Sequence, residues 1–141
     1  MIEYTAIIVA LIGVFFGVIP YLLQRKHELN LKIAEQKREA YTRFLKDFTE
    51  RTASIMHDED VSGKENDLNR MLARDQLVLY ASDEVIKAYD TWVRYDDGEK
   101  HSYEKEGELL SLLLLAIRKD ILGKTTVTVD HLYNLNSFNR G

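Results

Sequence analysis

Arg118, Lys119 and Lys124 fall within seven residues of one another, and Thr125 and Thr126 follow at once. Cationic side chains beside hydroxyls can hold a phosphate through charge-assisted hydrogen bonds, which makes these five residues the candidate ligand-binding set. The same bases also stand at the end of a helix, where positive charge complements the negative pole and Asp120 offers a local partner. Both readings fit the residue types. Symmetric assembly would favour the first, because several copies multiply one modest basic patch around an axis. Arg70 and Arg74, four apart on one helix face, form a second and weaker basic pair.

Other chemistry finds little purchase. Gly123-Lys124-Thr125-Thr126 looks like the end of a phosphate-cradling loop, but that motif needs Gly five positions earlier, where Arg118 stands. Its context is also inverted, with a helix leading in and an extended stretch leading out. His27, His57, His101 and His131 share no ligand spacing, and the chain has no cysteine, so neither a metal nor a cofactor is expected. Asp83 with Glu84 and Asp96 with Asp97 lie at helix ends, where capping and solubility explain them, and no enzymatic role is assigned. From Thr52 onward acids outnumber bases, which opposes coating of long nucleic acid.

These residues need elements to position them. The chain has 141 residues, 19 Lys plus Arg against 23 Asp plus Glu, and 45% apolar residues, which is room for one packed domain. The charge is unevenly spread, since none falls between Tyr4 and Gln24. Tyr4 to Leu23 is about 20 residues, or ~30 Å as a helix, the thickness of a bilayer's hydrocarbon layer. A secretory signal would place bases before the apolar run, whereas here Glu3 precedes it and Gln24-Arg25-Lys26-His27 follows. We therefore expect an uncleaved transmembrane anchor over residues 1–24. All Lys and Arg lie from Arg25 onward, so the bias toward cytoplasmic bases puts the N-terminus outside and the C-terminal domain in the cytoplasm, at a bacterial inner membrane.

Within this segment Ala6, Ala10, Gly13 and Gly17 recur at steps of four, three and four, a stripe of small residues suited to close helix packing and hence to homo-oligomerisation. Small residues are also common in such helices without any partner. Pro20 removes one helical hydrogen bond and can either kink the helix or be tolerated near the interface.

Beyond the anchor, residues 25–56 read as a long juxtamembrane helix with Leu29, Ile33, Ala40, Tyr41, Phe44, Phe48 and Ile55 on its apolar stripe. Residues 57–141 read as a helical domain. His57 to Asn66 is a polar loop, and Asp67 to Ala81 carries Leu68, Met71, Leu72, Leu79 and Tyr80 as a helix. Ser82 can cap a third helix with Val85, Ile86, Tyr89, Trp92 and Val93 on its stripe, ended by Asp96-Asp97-Gly98. Tyr103 to Leu122 forms a fourth, apolar on nearly every side and stopped by Gly123. It is either the centre of a bundle or a helix covered on a second side by another subunit. Thr125 to Val129 is extended or a short strand, and Asp130 can cap a last helix, His131 to Leu135; the tail from Asn134 reads as frayed. The fold expected is all-α: an N-terminal transmembrane helix continuing into a bundle of about four helices, with a short extended segment near the C-terminus.

The anchor, the run Leu79-Tyr80-Ala81-Ser82-Asp83-Glu84-Val85-Ile86 and the Leu-rich helix ending Ala116-Ile117-Arg118-Lys119-Asp120 resemble a group of small bacterial single-span membrane proteins, over about two thirds of the chain. The plan of one span plus a compact helical domain also looks like the membrane effectors of type III CRISPR systems that respond to cyclic tetra-adenylate. This second likeness is one of architecture. It implies an oligomeric effector of antiviral defence that binds a cyclic oligonucleotide and signals to its spans. The alternative is a non-catalytic scaffold that recruits a protein partner to the membrane through the long helix or the Trp92 face.

Overall fold

The structure, a computed structural model, describes residues 2–96 and 102–135. Asp97 and Gly98 of the expected helix stop, His101, and the chain after Leu135 lie outside the described residues. The fold is all-α, and no strand occurs among the described residues. The elements are α1 (Ile2–Gly13), a π-helical turn (Val14–Val18), α2 (Ile19–Met56), α3 (Lys64–Tyr80), α4 (Asp83–Asp96), α5 (Tyr103–Leu122) and α6 (Val129–Leu135). Two compact units divide inside α2, between Gln36 and Lys37.

In the first unit, the apolar run forms one helix long and apolar enough to cross a membrane, with none of its apolar window buried. Ile7, Ile8, Leu11, Phe15 and Phe16 are all exposed. So large an apolar surface is costly in water and matched in a lipid interior. The π turn has a cause in the sequence. Pro20 has no N–H to donate, and its ring crowds the carbonyl four residues back, that of Phe16. The widened turn around Phe16 accommodates this, and the Ile19 N–H reaches back five residues to the Val14 carbonyl.

The second unit is built on a core of Tyr41, Phe44, Leu77, Val85, Leu110, Leu113 and Ile117, with Phe48, Tyr89 and Trp92 packed against it. On α2 the buried stripe is short, comprising Ala40, Tyr41 and Phe44, while Leu29, Ile33 and Ile55 are exposed. The buried part of the expected stripe thus lies within the second unit.

α3 differs more from expectation. It begins at Lys64, three residues earlier, and it buries Ala73 and Leu77, whereas Leu68, Met71, Leu72 and Leu79 are exposed. Apolar residues occur on both sides of this helix, and the small Ala73 allows the closer approach, so the larger side chains are left outside. α4 buries Val85 outright and sets Tyr89 and Trp92 against α2, with Phe48 and Trp92 ring centroids 5.4 Å apart, edge to face.

The Ser102 hydroxyl caps α5 by accepting from the Lys105 N–H. α5 buries Leu109, Leu110, Leu113 and Ile117 but leaves Leu112 exposed. Ser111, fully buried, donates to the Gly107 carbonyl at 2.7 Å, which satisfies its hydroxyl within the helix. At the end of α5, Gly123 adopts φ +77°, a left-handed value open to glycine, and its N–H closes on the Lys119 carbonyl at 2.8 Å.

Residues 124–128 form neither helix nor strand, and α6 starts at Val129, earlier than expected. Its cap is Thr128, not Asp130. The Thr128 hydroxyl accepts from the His131 N–H, and the Thr128 N–H donates to His131 Nδ1, a reciprocal closure like a capping box. Asp130 stands within the first turn, where its charge favours the positive pole.

Candidate functional site

The turn that follows α5 places all five candidate ligand residues on one surface. Arg118, Lys119, Gly123, Lys124, Thr125, Thr126 and Val127 line an open depression of about 700 Å³. The left-handed Gly123 brings this about, because it reverses the chain and sets Lys124 to Thr126 back beside the last turn of α5. Thr125 Oγ1 accepts from Arg118 Nε at 3.0 Å and from the Val127 N–H at 3.2 Å. It therefore positions the guanidinium, and only its hydroxyl proton is left for a ligand. Thr126 is exposed on the rim.

The electrostatics depend on Asp120. Its expected role as local partner of Arg118 and Lys119 is not what the fold shows. Asp120 turns to α2, where it accepts from Lys37 Nζ at 3.1 Å and from the Tyr41 hydroxyl in a short bond. Arg118, Lys119 and Lys124 consequently make no ion pair among the described residues, and no carboxylate lines the depression. The carbonyl pole of α5 contributes roughly half a negative charge there, against three full positive charges, so the cations dominate and the surface attracts anions. A phosphate or other polyvalent anion is the chemistry it suits.

The Lys37–Asp120–Tyr41 network is a feature that sequence reasoning missed. Tyr41 is 1% exposed, and its hydroxyl oxygen also accepts from the Ser82 N–H at 3.4 Å. One polar group therefore ties α2, α5 and the start of α4. The available signal was an acid, Asp120, in the last turn of a helix that is otherwise apolar at its centre.

Burial first, and then the hydrogen bond the phenol donates to Asp120, hold Tyr41 well above its ordinary pKa. The folded state thus keeps a proton that the unfolded chain gives up near pH ~10. Stability from this group is full below that pH and is lost as pH rises toward the folded pKa. Thermal melts taken from about pH 8 to about pH 11 should fall more steeply for the native chain than for Tyr41→Phe. Equal slopes would remove the phenol from the account.

The other candidates are scattered. Ala6, Ala10 and Gly13 are exposed on α1 and Gly17 is exposed in the π turn, with open space over both glycines. Trp92 is half-buried, with Phe44, Phe48 and Tyr89 packed against it. Arg70 pairs with Asp67 at 3.1 Å and Arg74 with Asp75 at 3.6 Å. Among the described residues no three His, Cys, Asp or Glu gather where they would hold a metal ion. Compared with known proteins, the chain matches no family model, no curated protein and no solved structure.

Proposed function

We propose that this chain is an oligomeric membrane effector whose helical domain binds an anionic nucleotide second messenger and signals through α2 to the apolar N-terminal helices. The observation that carries this reading is the convergence of Arg118, Lys119 and Lys124, none ion-paired among the described residues, on one open depression. The depression has the breadth to take more than one phosphate, which suits a cyclic oligonucleotide such as cyclic tetra-adenylate. Copies related by symmetry would place several such patches around one ligand. The stripe of Ala6, Ala10, Gly13 and Gly17 supports assembly in lipid, and the absence of Lys and Arg before Arg25 supports a cytoplasmic C-terminal domain at a bacterial inner membrane. The ligand acts by binding one arrangement of the protomers better than another. Antiviral defence is the setting that the architectural likeness implies.

Calorimetric titration of the full chain in detergent micelles with cyclic tetra-adenylate tests the site. Changing Arg118 and Lys119 together to alanine removes two charge-assisted contacts and should weaken binding by roughly a hundredfold while leaving the helical content intact. Affinity that is the same in the variant would sink the assignment. A strictly monomeric particle in micelles would sink the shared-patch mechanism.

A second reading, a non-catalytic scaffold that recruits a protein partner, is favoured by the exposed stripe of Leu68, Met71, Leu72 and Leu79 on α3. It predicts no nucleotide affinity at all, and loss of partner co-purification on placing a charge at Met71.

A further inference from the structure

Away from the depression at the end of α5, the second unit brings three arginines and four aromatic rings into one place. Arg51 of α2 and Arg70 and Arg74 of α3 line a cleft of about 180 Å³ together with Phe48, Tyr89 and Trp92. The sequence distributes these residues over three separate helices, α2, α3 and α4. We propose that this cleft is a second anion site, one that takes a nucleoside monophosphate with its base against the open part of Trp92 and its phosphate among Arg51, Arg70 and Arg74.

The aromatic wall is rigid. Phe44 stands edge-on to Tyr89 at 5.5 Å and to Trp92 at 6.3 Å, and Phe48 stands edge-on to Trp92 at 5.4 Å. Rings fixed in this way offer a stacking surface that costs little ordering on binding. The Trp92 indole N–H is buried and has no acceptor among the described residues.

The arginines supply the other half. Arg51 is held by Asp47 in a close ion pair, while Arg70–Asp67 and Arg74–Asp75 are exposed pairs, which contribute little and exchange partners readily. Of the carboxylates only Asp47 lines the cleft, so its own lining carries three guanidinium groups against one acid. Tyr89 registers this. Burial raises its pKa, but Arg74, Arg51 and Arg70 all pull it down, and among the charges named only Asp47 opposes them. Guanidinium forks match phosphate oxygens in pairs, a geometry a lysine cluster does not offer.

Size selects the ligand. A volume of about 180 Å³ is below the ~300 Å³ of a small drug-sized pocket, so it admits one ring system and not a chain of nucleotides. A second cleft of about 290 Å³ adjoins it through Asp47, Arg51 and Arg70; its lining adds Arg43 and Lys46 but also Glu50 and Asp67, and it leaves room for the ribose while the phosphate stays with the three arginines. The depression lined by Arg118 has no aromatic side chain in its lining, so the two sites differ in what they can recognise.

The chain has a single tryptophan, so its fluorescence reports on this cleft alone. Titrating the full chain in detergent micelles with adenosine monophosphate, with excitation at the red edge of the indole band, should give saturable quenching with a dissociation constant below about 1 mM. Adenosine, which lacks the phosphate, should bind at least about tenfold more weakly. Arg70→Gln with Arg74→Gln should abolish saturation, and each single change should weaken it severalfold; both residues are over half exposed, so the core is untouched. Arg118→Ala with Lys119→Ala should leave the titration unchanged, which separates this site from the one proposed above. Absence of saturable quenching, quenching that survives loss of both α3 arginines, or quenching that is lost with Arg118 and Lys119 would each overturn the proposal.

Discussion

Replacing Asp120 by alanine is expected to cost about 2–4 kcal/mol and to lower the melting midpoint by roughly 10 °C. The magnitude follows from what is left behind. The Tyr41 hydroxyl, buried in the core, loses the acceptor for its proton, and an unmet buried donor costs about 1–3 kcal/mol. Lys37, whose side chain is 25% exposed, loses its carboxylate as well but can extend its ammonium toward water, which limits its share. Asp120→Asn separates the parts, because it keeps an oxygen to accept from Tyr41 while removing the charge that Lys37 faces. It should cost about half as much. A thermal melt followed by circular dichroism on the full chain in micelles reads both, and equal midpoints for all three proteins would show that the network is not what holds α5 to α2. Because the Asp120 carboxylate is drawn away from Arg118 and Lys119, the same variants leave the anion depression with its cations in place.

Leu113→Ala should be comparably severe, at about 2–5 kcal/mol, whereas Leu112→Ala should cost under about 1 kcal/mol. The residues are adjacent and chemically identical, so helix propensity and the unfolded state cancel between them. Leu113 is 0% exposed and sits among Tyr41, Leu77, Val85 and Leu110 in a core drawn from four helices, so deleting its side chain opens a cavity that packed neighbours cannot fill. Leu112 is 40% exposed and gives up mainly contacts with solvent. Equal losses would mean that the outward side of α5 is covered by another copy of the chain, and in that case the Leu112→Ala effect would depend on protein concentration.

Most helix ends could be read from local signals. Asp83 and Glu84 after Ser82 mark the start of α4 and Gly123 the end of α5, because capping is decided within one turn of chain. Faces were harder to read. On α3 the large residues Leu68, Met71 and Leu79 suggest one stripe, yet Ala73 and Leu77 are the pair that packs, since the choice depends on how closely α2 and α4 can approach. In the sequence Asp130 offers a cap for α6, yet Thr128 makes it, a shift of two residues that no periodicity marks. The basic cluster at Arg118 was visible as a run of residue types, but its lack of ion pairs was not, because Asp120 looked like a neighbour and proved to be a partner of α2.

By itself the sequence determined what depends on nearby residues: an all-α chain, an N-terminal run long and apolar enough to cross a membrane, and the five residues that come together after α5. Hydrophobic period, helix length and capping act over a few residues, so a linear reading captures them. Only the tertiary structure decided which charges remain available. Lys37 and Asp120 are 83 positions apart yet bond, and Arg51 and Trp92 come from different helices yet line one cleft, because the bundle packs them there. Hydrogen bonds and ion pairs act over a few ångströms in space, so their partners are chosen by packing and not by order along the chain.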